Sequence, residues 1–110
     1  MTNEAVNSDI PLSEQFRITS EKWVDADSAA NLLEETKSAV LSKRMADLGD
    51  MPVSRAEMTI KASADWHTYI KTMVDAREKA SRLKMRLEFL RMRFHEWQSL
   101  EATRRAEMKL

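Results

Sequence analysis

The two histidines, His67 and His95, are the residues most readily tested for metal or acid–base chemistry in this 110-residue chain. They form no His-x-x-x-His pair, and neither follows a glutamate by three residues, as the ligands of a di-iron helical bundle do. The carboxylates show no converging pair, and a single glycine cannot build a phosphate-binding loop. We therefore expect no catalytic residue, metal ligand, cofactor or small-molecule substrate, and we expect that the protein is not an enzyme.

A basic stretch with aromatic neighbours has the residue types of a binding surface. Residues 77–93 contain seven basic side chains and two acidic ones, and Phe94 and Trp97 follow. Basic and aromatic side chains together can hold single-stranded nucleic acid by phosphate contact and base stacking. The alternative is a solvated rim around a helical packing seam. The candidate nucleic-acid contacts are Arg77, Lys79, Arg82, Lys84, Arg86, Arg91 and Arg93.

The composition indicates that helices position these side chains. There is one glycine, two prolines and no cysteine, and 33% of the residues are charged. These proportions are typical of long helices and coiled coils, and they exclude disulfide and thiolate chemistry. We find no signal-peptide pattern at the N-terminus and no apolar run of membrane-spanning length. The expectation is a cytoplasmic protein of one domain without a membrane partner.

A first helix is predicted over about residues 19–48. Thr19 is the predicted N-cap, because Ile18 and Trp23 then have the spacing of a hydrophobic staple. The helix is predicted to end before Gly49, which can adopt a left-handed cap conformation.

A turn over residues 49–53 leads to a second predicted helix, which covers about residues 54–108. Ser54 and Glu57 have the spacing of a capping box, and neither glycine nor proline follows. Residues 1–18 are predicted to be a flexible tail. Whether its apolar side chains dock onto a helix stays open at this point; they are Ile10, Leu12, Phe16 and Ile18.

The apolar residues of the second helix form a heptad seam. They are spaced alternately by three and four positions, which is typical of coiled-coil packing. The apolar pattern ends at Glu101 and Arg104, which would occupy the next two seam positions. The members of the seam are Trp66, Tyr69, Met73, Ala76, Ala80, Leu83, Leu87, Leu90, Phe94 and Trp97.

An antiparallel helical hairpin, and hence an all-α fold, is predicted from the two apolar stripes and the short turn. This hairpin would bring Asp27 close to Arg77. Residues 1–50 carry a net charge of −5 and residues 51–110 a net charge of +5, which also favours folding back or association between copies.

The first helix is predicted to reach only to about residue 80 of the second, so that later seam residues lack a partner. An unpaired apolar row of this length indicates an association site, and we expect a homo-oligomer or an acidic helical partner protein. Basic flanks disfavour pairing of this stretch with itself. The predicted partner seam is Leu83, Leu87, Leu90, Phe94 and Trp97, and a second apolar strip comprises Met85, Phe89 and Met92.

The second half of the chain resembles small, largely uncharacterised helical proteins of tailed phages and prophages, often encoded near recombination or replication genes. The resemblance covers residues 54–110. It rests on the segments Lys61–Tyr69, Arg91–Phe94, Trp97–Ser99 and Arg104–Met108. It implies an accessory role in DNA metabolism, or interference with a host system, in the host cytoplasm.

These observations together predict a non-enzymatic helical protein-interaction or oligomerisation module, with a phage accessory role. One alternative is a nucleic-acid-binding protein that uses the basic face of residues 77–93. Another is a small inhibitor of a host defence complex, which would use the same surfaces.

Overall fold

The computed structural model describes residues 10–109, which form three α-helices and no β-strand. Helix α1 is Leu12–Asp47, helix α2 is Val53–Lys61, and helix α3 is Ala64–Met108, with lengths of 36, 9 and 45 residues. The all-α prediction with a very long C-terminal helix is therefore confirmed. None of the helices in this part of the chain is both long and apolar enough to cross a membrane.

Helix α1 begins before the predicted start. The carbonyl of Pro11 accepts hydrogen bonds from the amides of Glu14 and Gln15, both at 3.0 Å. Glu14 lies in the first turn, where a negative charge is favourable to the helix dipole. The predicted cap at Thr19 is wrong, because Thr19 lies inside the helix and is buried.

The prediction that residues 1–18 form a flexible tail is therefore wrong for residues 12–18. Residues 12–18 are helical, and Arg17 forms ion pairs with Glu14 and Glu21 along the same helix. The part of the predicted tail before Ile10 lies outside the described residues.

The connection between α1 and α2 agrees with the predicted turn at Gly49, but the predicted cap of the second helix is wrong. Gly49 has a φ of +85°, which confirms the left-handed position after the helix. Helix α2 starts after Pro52, whose carbonyl accepts a hydrogen bond from the amide of Ala56 at 2.9 Å. No side chain caps this helix, so the predicted capping box at Ser54 is wrong.

The single helix predicted over residues 54–108 is interrupted at Ala62 and Ser63. The Ser63 hydroxyl donates to the carbonyl of Ile60 at 2.6 Å, and its oxygen accepts from the amide of Trp66 at 3.1 Å. Serine side chains offer the backbone such local partners, which end one helix and cap the next. The chain can therefore divide here without glycine or proline.

Two compact units make up the chain, and the long helices α1 and α3 each contribute to both. The first contains described residues 10–23 and 82–109, and the second contains residues 24–81. The buried residues of the first unit are Thr19, Leu87 and Leu90. Those of the second are mostly small, which allows close helix packing, and they are Ala26, Ala30, Ala56, Ile60, Trp66 and Ala80.

We predict that Ser63→Ala lowers the free energy of unfolding by about 1 kcal/mol, because it removes the cap of α3. Urea unfolding followed by circular dichroism at the helical band measures this change. Ser81→Ala is the matched control, because Ser81 is exposed within α3 and alanine is the better helix former there. An equal loss of stability in both variants would contradict the capping role.

Candidate functional site

Arg77, a predicted nucleic-acid contact, is bonded to three side chains of α1 in the second unit. Its Nη1 donates to Asp27 at 2.7 Å, and its Nη2 donates to Asn31 at 2.6 Å. Its Nε and Nη2 both donate to the Glu34 carboxylate at 2.9 Å. The predicted approach of Asp27 to Arg77 is thereby confirmed. Since its guanidinium is already paired with two carboxylates, Arg77 holds the helices together and is a poor candidate for phosphate contact.

These hydrogen bonds change the acidity of both partners. The Arg77 guanidinium lowers the pKa of the Glu34 carboxyl. The same contacts, first with Glu34 and then with Asp27, raise the pKa of Arg77. The network is partly exposed to solvent, so it contributes mainly to the register of the helix pair.

A second structural arginine lies where the predicted seam begins. The rings of Trp66 and Tyr69 stack with centroids 5.2 Å apart. The Arg44 guanidinium lies 5.7 Å from the Trp66 centroid and 5.5 Å from the Tyr69 centroid, within cation–π range. The Tyr69 hydroxyl donates to the carbonyl of Leu33 at 3.1 Å. The two aromatic residues are therefore part of the hairpin core, and Arg44 is a contact that heptad spacing alone did not reveal.

In the first unit, most of the predicted partner seam is covered. Leu87 and Leu90 are only 8% and 4% exposed, and Leu83 is half-buried. Ile10 and Ile18 line one cleft together with Leu90. The expectation that these leucines await a partner is wrong, because α1 begins early enough to pack against them.

The last two seam residues remain open. Phe94 is 43% exposed and Trp97 is 54% exposed, and their rings stack with centroids 6.1 Å apart. Leu100, which the heptad seam does not include, is 70% exposed, and Met108 is exposed as well. Helical spacing puts the four side chains on one side of α3. We call Phe94, Trp97, Leu100 and Met108 the terminal apolar surface.

The second predicted strip, Met85, Phe89 and Met92, is also exposed. Its members are spaced by four and three positions and so share one side of α3. Methionines at such a surface adapt readily to different contacts.

Five of the predicted nucleic-acid contacts lie in the first unit, where they form two rows. Arg82, Arg86 and Arg93 follow one flank of the seam at spacings of four and seven, and Lys84 and Arg91 follow the other flank. They therefore do not form one basic face.

The seven predicted nucleic-acid contacts differ in their surroundings. Arg91 lies 5.9 Å from the ring of Phe16 and donates to Glu88 at 3.3 Å. Arg86 is half-buried, whereas Lys79, Lys84 and Arg93 are exposed. The exposed members are the ones best placed to meet a polyanion.

No metal centre is assembled in residues 10–109, where no three His, Asp or Glu side chains are grouped to hold an ion. His67 and His95 are both exposed, and His95 packs at a tilt against Phe94. Comparisons of the chain with protein-family models, curated proteins and solved structures find no match. The terminal apolar surface is therefore the candidate site on structural grounds alone.

We predict that the stability lost in Arg77→Met is larger at pH 7 than at pH 3. Arg77 lowers the pKa of Glu34 in the folded state, so its stabilising effect is present above the ordinary carboxyl pKa of 4.5. The effect is lost as the pH falls through the lowered value, when the carboxylate becomes protonated. Urea unfolding at both pH values measures the difference between wild type and variant.

The control for this experiment is Lys71→Met, which removes one exposed ion pair with Asp75 on the same helix. A loss in Arg77→Met that is the same at both pH values would show that Glu34 does not respond to the guanidinium.

Proposed function

We propose that this protein is a non-enzymatic helical interaction module that associates with other polypeptides through the terminal apolar surface. The observation that carries the proposal is the exposure of two stacked aromatic rings, Phe94 and Trp97, beside Leu100 near the end of a helix. Neighbouring exposed apolar side chains of this size are typical of association sites.

The chemistry of this surface favours a protein partner. Aromatic residues supply much of the binding energy at protein interfaces, because they bury a large area with few rotatable bonds. Phe94 and Trp97 already stack on each other, so less side-chain freedom is lost on binding. Residues 94–109 contain three acidic and three basic side chains, and a segment without net charge has little general attraction for a polyanion.

We further propose that the module is a phage accessory protein that acts on DNA metabolism or on a host system. Support for this setting comes from the resemblance of residues 54–110 to small helical phage proteins. Inhibition of a host defence complex would use the same surface and differ only in the polypeptide that is bound.

Site-specific photo-crosslinking tests the association. A benzoylphenylalanine at position 100, within the terminal apolar surface, is expected to form polypeptide adducts in cells that make the protein naturally. Mass spectrometry identifies the adducts. Trp97→Ala in the same chain is expected to abolish them, because it removes the largest apolar side chain of the surface.

Position 99 is the matched control, because Ser99 is exposed and lies on the other side of the helix. Adducts that form equally from positions 99 and 100, or that survive Trp97→Ala, would contradict the proposal.

Nucleic-acid binding is a second candidate, supported by one local arrangement. The exposed ring of Phe89 lies three positions after Arg86 and four positions before Arg93, so the three side chains share one side of α3. A base could stack on the ring while the arginines contact phosphates.

If this candidate is right, a fluorescent single-stranded oligonucleotide will bind with an affinity that falls steeply as salt rises. Fluorescence anisotropy measures the affinity, and Phe89→Ala is expected to weaken it by about 1–3 kcal/mol. Val74→Ala serves as the control, because it removes an exposed apolar side chain elsewhere on α3. Binding that is absent, or insensitive to salt, would eliminate this candidate.

A further inference from the structure

We propose that the partner of Trp97, Leu100 and Met108 in the terminal apolar surface is a second copy of this chain, paired antiparallel along the last turns of α3. In this pair Trp97 of each copy faces Met108 of the other, and Glu101 of each copy faces Arg104 of the other. The inference rests on the proposed function and specifies which polypeptide is bound.

Pairing is restricted to the part of α3 that α1 does not cover. Helix α1 starts at Leu12, and one turn later Phe16 contacts Arg91. From Arg91 to Lys109 every residue is exposed except Glu101, which is half-buried. The uncovered seam positions are therefore those from Phe94 onward.

The spacing of the last four of these positions reads the same in both directions. Trp97, Glu101, Arg104 and Met108 are separated by four, three and four residues. Each heptad has two seam positions, a and d, and in an antiparallel coiled coil the a positions of one helix face the d positions of the other. A segment with symmetric spacing can therefore pair with the same segment of a second copy.

The residue types at the four positions are complementary to their own reverse order. Read from Trp97 or from Met108, the order is apolar, charged, charged, apolar. Reversing the direction exchanges the acidic Glu101 with the basic Arg104. An antiparallel pair therefore forms two Glu101–Arg104 contacts between two Trp97–Met108 contacts, and methionine sulfur packs favourably against aromatic rings. A parallel pair would instead place Glu101 against Glu101 and Arg104 against Arg104, which like charge disfavours.

The residues beside the seam do not oppose this register. In antiparallel pairing Gln98 lies beside Arg105 of the other copy, and Leu100 lies beside Glu107. Neither contact joins like charges. The basic flanks within residues 77–93, which would oppose self-pairing, lie outside the paired stretch.

The charged pair is available for contacts between copies. Arg104 Nη1 lies 4.0 Å from Glu101 Oε1 on its own helix, at the limit of an ion pair, and the Arg104 side chain is 70% exposed. Exposed pairs at this spacing contribute little, so both groups can turn toward a second copy at small cost.

Charge reversal tests the proposal on the full-length chain. Glu101→Arg alone and Arg104→Glu alone each place like charges opposite one another, and each is expected to weaken self-association by about tenfold or more. An equimolar mixture of the two variants is expected to form a heterodimer, because one chain then offers two arginines and the other two glutamates. The double variant E101R/R104E is expected to associate like wild type. Sedimentation equilibrium over a range of protein concentrations measures the masses.

Glu96→Arg and Lys109→Glu are the matched controls, since they make the same charge changes at exposed positions away from the seam. Both are expected to associate like wild type, and circular dichroism checks that every variant stays helical. A wild-type chain that is monomeric at all concentrations overturns the proposal. So does association that neither single variant weakens, or that mixing does not restore.

These failures are distinguishable from failure of the proposed function. If position 100 forms Trp97-dependent adducts only with polypeptides other than this chain, the interaction module stands and self-pairing is wrong. If position 100 forms no Trp97-dependent adducts with any polypeptide, including this chain, the proposed function is wrong as well.

Discussion

The position where α1 begins determines which seam residues of α3 stay exposed. Because Pro11 starts the helix, Ile18 and Thr19 are close to Leu90, and Phe16 reaches Arg91. Burial of the leucines stabilises this packing, since each fully buried side chain of this kind contributes about 1.5–3 kcal/mol. The same packing leaves Phe94 and Trp97 beyond the first turn of α1, so the length of one helix defines the exposed surface of the other.

The sequence was sufficient to predict the hairpin, because its signals are periodic and redundant. Ten seam positions from Trp66 to Trp97 agree with one register, and the ion pair of Asp27 with Arg77 follows from that register. The start of α1 was harder to predict because two starts satisfy local rules. Thr19 fits a capping pattern, whereas Pro11 with Glu14 fits an earlier start, and burial of Thr19 against the other helix decides between them.

The break before α3 and the candidate surface show two further limits of sequence reasoning. Ser63 acts through hydrogen bonds to Ile60 and Trp66, and a serine inside a helical pattern gives no sign of that choice. Leu90 and Trp97 are equivalent in the heptad pattern, yet only Trp97 is exposed. Exposure depends on where the opposing helix begins, which the pattern of α3 does not contain.

The contacts of the arginines show which surfaces of the chain hold the helices together and which remain available for binding. Arg77 is held by Asp27 and Glu34, Arg44 lies over aromatic rings, and Arg91 lies over Phe16. Arg77 and Arg91, two of the basic residues that suggest a polyanion site in the sequence, thus stabilise the hairpin. Near the end of α3 the positive and negative charges balance, and the large apolar side chains of the terminal apolar surface are exposed. An apolar surface with balanced charges gains most from a partner that buries it and pairs its ions, which is how a protein helix binds and a nucleic acid does not.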